Sequence, residues 1–293
     1  MMRGMDAAIS GLEAHQTMLD VTANNLANVD TIGYKAQRTT FVDELSQTLQ
    51  GATAPNGFNG GSNAKQVGLG VEVGSIDNIM TAGSLQTTGN PLDIAIQGDG
   101  FLVAGNGAPP ATAPYTSNLP ASDNYTRAGN LTLNPSGFLT TQSGEYVMGY
   151  TAPSSSTPAP STTYINVPPG STNVAIGQDG AVTYTDENAT SPTYGQTVSA
   201  GYLQLATFPN EAGLTRDGGS LWSTSMSSGP ATTGTPGVGG YGSTVSGTLE
   251  MSNVDLATEF SNMIVAERGY EANSKVITTA DEMLQTVVNM PQG

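Results

Sequence analysis

Acid–base chemistry in this chain would have to be drawn from one histidine and 24 carboxylates, since the sequence holds no cysteine. That absence also excludes disulfides, thiolate metal sites and cysteine nucleophiles. His15 stands beside an apolar stripe in MMRGMDAAISGLEAHQ with no serine–histidine–aspartate grouping around it, so a solvated or interface histidine fits better than a catalytic base. Paired carboxylates for glycosidic chemistry could come from Asp93, Asp99, Asp179 or Glu187, but Asp99 and Asp179 each precede a glycine and read as turn residues. No glycine cluster opens a helix after a strand, and no acidic calcium-loop pattern occurs. No catalytic, metal or cofactor site is expected.

A different chemistry, amide hydrogen bonding, is concentrated in ANNLANVDTIGYK, Ala23 to Lys35. Asn24, Asn25 and Asn28 sit where the preceding residues predict a helix, although asparagine is a poor helix former. The helix that carries them has an apolar stripe of Met5, Ile9, Leu12, Gln16, Leu19, Ala23 and Leu26, spaced four and three as in a coiled-coil seam. Gly33 is the expected exit from it. A second stripe near the other end runs Leu256, Met263, Tyr270, Ile277 and Leu284, seven apart, with Ala266, Ala280 and Val287 beside it. Ser252, Asn253 and Asp255 are its candidate N-caps, and Pro291 with Gly293 closes it. Neither stripe can be covered by its own helix, so the two chain ends are expected to pack together.

Between them the rhythm changes. Residues 51–66, GATAPNGFNGGSNAKQ, lack periodicity and read as an irregular linker with Gly51, Gly57, Gly60 and Gly61 as hinge points. From Val67 onward, short β-prone runs alternate with turn signals, and Asp-Gly at 99–100 and 179–180 predicts tight hairpins. Two Pro/Ser/Thr-rich stretches, 105–123 and 152–163, read as surface insertions. The fold class is α+β, with N- and C-terminal helices forming a coiled-coil-like inner domain and a central β-rich domain of short strands and hairpins. The expected divisions are 1–32, 33–72, 73–250 and 251–293.

Eight basic residues against 24 acidic ones give a formal charge of −16 with no basic cluster, which argues against nucleic acid and anionic membranes as partners. No run reaches the roughly 18 apolar residues of a membrane span. The N-terminus lacks the apolar core of a conventional cleaved signal.

Three stretches together resemble the bacterial flagellar rod and hook family. SGLEAHQTMLDVTANNLANVDTIGYKAQRTTF is similar to a signature in which a helix ends at Asn-x-x-Thr-x-Gly-[FY]-Lys. VGLGVEVGSIDNIMTAGSLQTTGNPLDIAIQGDGFLV resembles the entry into the family's β domain, and GTLEMSNVDLATEFSNMIVAERGYEANSKVITTADEMLQTVVNM its closing helix. The resemblance implies a structural subunit without enzymatic activity or cofactor, exported by the flagellar type III apparatus. It implies assembly with itself and with other axial proteins (rod, hook cap, hook–filament junction) in the hook or basal body, outside the cell.

Within the family, SLQTTGNPLDIAIQGDGFLV, YVMGY and LEMSNVDLATEFSNMIVAERG favour a short hook subunit, a flexible universal joint that transmits torque and encloses the export channel. The alternative is the distal rod, a straight drive shaft. In such a tube the terminal helices form the inner layer, and Asn24, Asn25 and Asn28 bond across subunits or to channel water. A reading from another class is a secreted β-rich adhesin or glycan-binding module, with an aromatic platform drawn from Tyr146, Tyr150, Tyr184, Tyr202 or Trp222.

Overall fold

A computed structural model describes residues 2–55, 60–107, 109–110, 115–116, 123–151, 161–187 and 193–289. The chain divides into two units. The first contains α1 (Met2–Ala27), then β1 (Gln37–Asp43), β2 (Ser46–Gln50), β3 (Lys65–Gly68) and β4 (Val71–Asn78), and finally α2 (Leu256–Val288). The second is formed by Asn28–Ala36 and Ile79–Val254.

In the first unit α1 packs against α2 and against the β1–β4 pair. Of the three candidate caps of α2, Asp255 performs the role: one carboxylate oxygen accepts the Ala257 N–H at 3.0 Å and the other the Thr258 hydroxyl at 2.8 Å. The Thr258 bond and then the Ala257 bond hold this carboxyl below its ordinary range. Asn253 instead donates to the carbonyls of Ile79 and Thr81. The helix itself spans 33 residues, about 50 Å at 1.5 Å per residue.

Residues 33–72, expected as an irregular arm, contain β1 to β3 and the start of β4. β2 and β3 form an antiparallel ribbon, Gln47 facing Val67 and Thr48 facing Gln66, which a Thr53–Ser62 bridge extends. Every residue of β2 and β3 is exposed. With neither face buried the strands carry no polar–apolar alternation, and that is why they are not legible as strands.

The second unit holds β5 (Leu85–Thr87), β6 (Ile94–Gln97), β7 (Phe101–Gly105), β8 (Asp123–Thr126), β9 (Thr132–Leu133), β10 (Leu139–Thr140), β11 (Tyr146–Tyr150) and β12 (Thr162–Tyr164). It continues with β13 (Thr172–Ile176), β14 (Ala181–Thr185), β15 (Thr197–Leu203), β16 (Leu205–Thr207), β17 (Thr215–Gly218), β18 (Leu221–Ser223), β19 (Thr232–Gly234), β20 (Ser243–Ser246) and β21 (Thr248–Glu250). The main sheet runs β13-β14-β15-β11-β7-β8-β18-β17. β7 lies inside it and is buried on both faces: Leu102 joins one apolar cluster with Ile94, Val147 and Leu205, while Phe101 and Val103 join another with Tyr125, Tyr164 and Trp222. That two-sided burial explains the continuous apolar run FLVA.

Asp179-Gly180 closes the β13–β14 hairpin, with Gly180 at φ +75°. Asp99-Gly100 does not close one, because β6 pairs with β20 and β7 with β8, β11 and β16. The second insertion, expected to run to residue 163, ends in β12, which begins at Thr162. The rest of that insertion apart from Ser161, much of 105–123, Pro291 and Gly293 lie outside the described residues.

Candidate assembly interface

The inner face of the helix pair is lined by small residues. On α1, Ala8, Gly11, Ala14, Thr22 and Asn25 are buried, with His15 and Met18 half-buried between them; on α2, Glu259, Ala266 and Ala280 are buried. Glycine permits the tightest approaches. A Cβ on Gly11 would stand 2.7 Å from the Asn273 amide nitrogen, and one on Gly269 would stand 2.4 Å from His15 Nε2. Gly11 meets Asn273, His15 meets Gly269 and Asn25 meets Glu259, so α1 and α2 run antiparallel. His15 is thereby an interface residue, its ring also 6.0 Å from that of Phe41.

The expected α1 stripe has the right period and a different phase. Ile9, Gln16 and Ala23 are exposed, and Leu12, Leu19 and Leu26 are half-buried, because the covered row falls one residue earlier, a rotation of about 100°. On α2, Met263, Ile277 and Leu284 are half-buried at the edge of the contact, whereas Leu256, Tyr270 and Val287 are exposed. Glycine and alanine let the backbones approach closely, which leaves the larger side chains toward the flanks and the outer faces.

Asn25 explains why an amide is placed in the helix. Its Nδ2 donates to Gln37 O at 2.8 Å and to Glu259 Oε1 at 3.0 Å, and its Oδ1 accepts the Gln37 N–H at 2.9 Å. One side chain thus imitates a strand for β1 and also grips α2. Three such bonds at about 1 kcal/mol each outweigh a helix-propensity cost of about 0.5 kcal/mol. Expected to bond across subunits, this amide is engaged within its own chain. Asn28 lies beyond the helix and accepts the Thr31 hydroxyl at 3.1 Å; Asn24 is exposed. Burial raises the carboxyl pKa of Glu259 above its ordinary 4.5, opposed by the hydrogen bond from Asn25.

Gly33 does not end the helix, which stops at Ala27. It ends the following turn at φ +67°, donates its N–H to Glu250 O at 2.8 Å, and would place a Cβ 2.7 Å from Ala128 N. Beside it stands a buried ion cluster that sequence reasoning missed. Lys35 Nζ lies 2.6 Å from Glu250 Oε1 and donates to Thr81 O at 2.9 Å. Arg127 Nη1 lies 3.3 Å from Glu250 Oε2, and Gly83 N–H donates to Glu250 Oε1 at 2.9 Å. Burial, and then the neighbouring Arg127, lower the Lys35 pKa, while Glu250 opposes them. Tyr34 lies under the Arg216 guanidinium, which donates to Lys35 O. The Gly-Tyr-Lys triplet was the available signal; its carboxylate partner is 215 residues away.

Of the linker glycines, Gly51 and Gly60 border open space that a side chain could fill, while Gly61 adopts φ +78° and would place a Cβ 2.7 Å from Thr53 O; Gly57 lies outside the described residues. Of the carboxylates weighed for catalysis, Asp93 accepts from Thr88 and Asn90 and Asp179 from the Ala181 N–H in turns, while Glu187, just past β14, accepts from Thr172 at the start of β13. Asp99 is exposed. Tyr150, Tyr184 and Trp222 are buried, and Tyr146 packs edge-on against Phe138 and Tyr164, so the aromatic platform weighed for sugar binding is core. Tyr202 is half-buried. Among the described residues no helix is long and apolar enough to cross a membrane, and no group of three or more His, Asp or Glu could hold a metal.

Residues 5–35 match the family described as flagella basal body rod protein, and residues 245–290 match flagellar basal body rod FlgEFG protein C-terminal. Residues 95–184 match the flagellar hook protein FlgE/F/G D1 domain. A flagellar basal-body rod protein FlgG of Bacillus subtilis is 41% identical over 291 residues, covering 99% of each chain. The chain belongs to the flagellar rod and hook family. Another member, FlgG of Caulobacter vibrioides, is 37% identical over 97% of each chain. The flagellar hook protein FlgE of Borreliella burgdorferi is 26% identical over a 440-residue alignment covering 99% of this chain and 100% of its own. The family match at 5–35 takes in nearly all of α1, the turn and Gly33-Tyr34-Lys35, and that at 245–290 takes in Glu250 and α2.

Proposed function

We propose that this chain is the distal rod subunit of the flagellar basal body, a structural protein that assembles with itself and other axial components into a straight drive shaft. The observation that carries the reading is the 41% identity to a FlgG rod protein over 99% of both chains, against 26% to a hook protein. The hook assignment favoured by short sequence stretches gives way to it. The linker supports the same choice: the β2–β3 ribbon brackets it and a Thr53–Ser62 bridge ties its described residues together. Leu45, Leu49, Val67 and Leu69 on and beside the ribbon are exposed, Leu45 at 82%. An isolated two-stranded ribbon is marginal in water, so neighbouring subunits are its natural cover.

In this reading Ile9, Leu12, Gln16, Leu19, Ala23 and Leu26 with Leu256, Met263, Tyr270, Ile277 and Leu284 contribute to packing between subunits of an inner tube. Asn24 is exposed on the helix surface that neighbours or channel water would meet, whereas Asn25 and Asn28 act within the subunit. Open head-to-tail contacts give a filament. Export by the flagellar apparatus and a final location outside the cytoplasm belong to the same proposal. Electron microscopy of basal bodies carrying a tagged chain tests it: label on a straight rod is expected, and label on a curved hook overturns it.

A further inference from the structure

Two serines lock the turn between β18 and β19. Ser225 Oγ accepts the N–H groups of Ser227 at 3.0 Å and Ser228 at 3.2 Å and donates to Gly213 O. Fully buried Ser228 accepts the Ser225 N–H on its Oγ at 3.0 Å and donates to Ser225 O at 2.9 Å, and Asn210 Nδ2 donates to Ser227 O at 3.0 Å. Met226 stands on this turn with its side chain wholly in solvent, at a relative exposure of 106%. The bonds fix the backbone around an apolar side chain that finds no cover in its own chain, and a side chain presented on an ordered backbone loses little further entropy on binding. In the same β unit a cavity of about 590 Å³ is lined by Pro109, Pro110, Tyr115, Phe138 and Tyr146. Half-buried Tyr115 and Tyr146 each meet the Phe138 ring edge-on, with centroids 5.2 and 5.9 Å away. Neither the described lining of the cavity nor residues 224–230 carry a charged side chain.

We propose that Met226 of one copy docks into the cavity at Tyr115, Phe138 and Tyr146 of a second copy. The chain's own Met226 is fully exposed and does not fill that cavity. A thioether sulfur against aromatic rings is a favourable contact, and the unbranched methionine side chain adapts to an irregular hole. Copies that each carry a formal charge of −16 repel, so close contact forms most readily between patches without charge, and these two are such patches. Knob and cavity are different surfaces, so a joined pair keeps one of each free and the contact propagates head to tail. The inference rests on the self-assembling reading above and adds to it a contact between β bodies, separate from the helices.

Met226→Ser in the full chain tests the knob. Because the side chain is fully exposed, the substitution is expected to leave the melting curve of the monomer unchanged while cutting sedimentable polymer about tenfold. Ser136→Trp, at an exposed position on the cavity wall, is expected to have the same effect by filling the hole. The chain has no cysteine, so Met226→Cys and Ser136→Cys report the contact directly. A mixed polymer of these two variants is expected to yield, on oxidation, a covalent dimer that neither yields alone. Met226→Ser that polymerises as well as the wild-type chain, or a mixed polymer that gives no more covalent dimer than the single variants, overturns the proposal while leaving the assembly reading intact. A wild-type chain that stays monomeric at every concentration overturns both.

Discussion

Glu250 is fully buried with two cations and the Gly83 N–H around its carboxylate, so its charge matters more than its volume. Glu250→Gln keeps the shape and leaves Lys35 and Arg127 without a counter-ion. It is expected to cost about 3–5 kcal/mol in chemical denaturation, the range for breaking one side of a buried pair. Lys35→Met in the same chain is expected to recover part of that loss, measured as a double-mutant cycle. Glu259 behaves differently, because burial raises its folded pKa above 4.5. The folded state therefore binds its proton more tightly than the unfolded chain. The stabilisation is complete below about pH 4.5 and is lost as pH rises through the folded pKa. Glu259→Gln retains an acceptor for Asn25 and is expected to remove this part of the pH dependence without destabilising the chain at neutral pH. A denaturation series from pH 4 to 8 reads it.

At the scale of elements, the contrast lies between two kinds of period. The helical repeat was legible because it is fixed by backbone geometry, yet the phase of the covered row was not. Its members include Gly11, His15, Thr22 and Asn25, which carry little hydrophobic signal. β2 and β3 were invisible for the complementary reason that both their faces meet solvent. Their pairing changes the meaning of the linker glycines. Gly51 and Gly60 occupy open space at ordinary φ, so Gly51→Ala and Gly60→Ala are expected to leave both folding and polymer yield within about twofold of wild type, or to stabilise slightly by restricting the unfolded chain. A loss of polymer beyond that, measured by sedimentation, would restore a hinge role to these residues.

For the whole molecule, a chain of net charge −16 repels its copies at long range, so assembly must rely on local complementarity and apolar cover. Exposed Phe260, Ile264 and Val265 on α2 and the uncovered ribbon leucines supply that cover only when another surface meets them. A straight particle in the microscope is the expected outcome when neighbouring subunits cover the β2–β3 ribbon that brackets the linker. The absence of thiol chemistry was readable early, since the sequence holds no cysteine.

The sequence by itself determined that the chain has two long terminal helices, a turn-rich β body between them and no thiol chemistry, because periodicity and composition depend on local covalent structure. Tertiary structure alone decided which helical face is covered, that Asn25 serves β1 and α2 together, and that Lys35 finds Glu250 across 215 residues. Those outcomes depend on partners brought near by folding, and no local spacing encodes the distance between them.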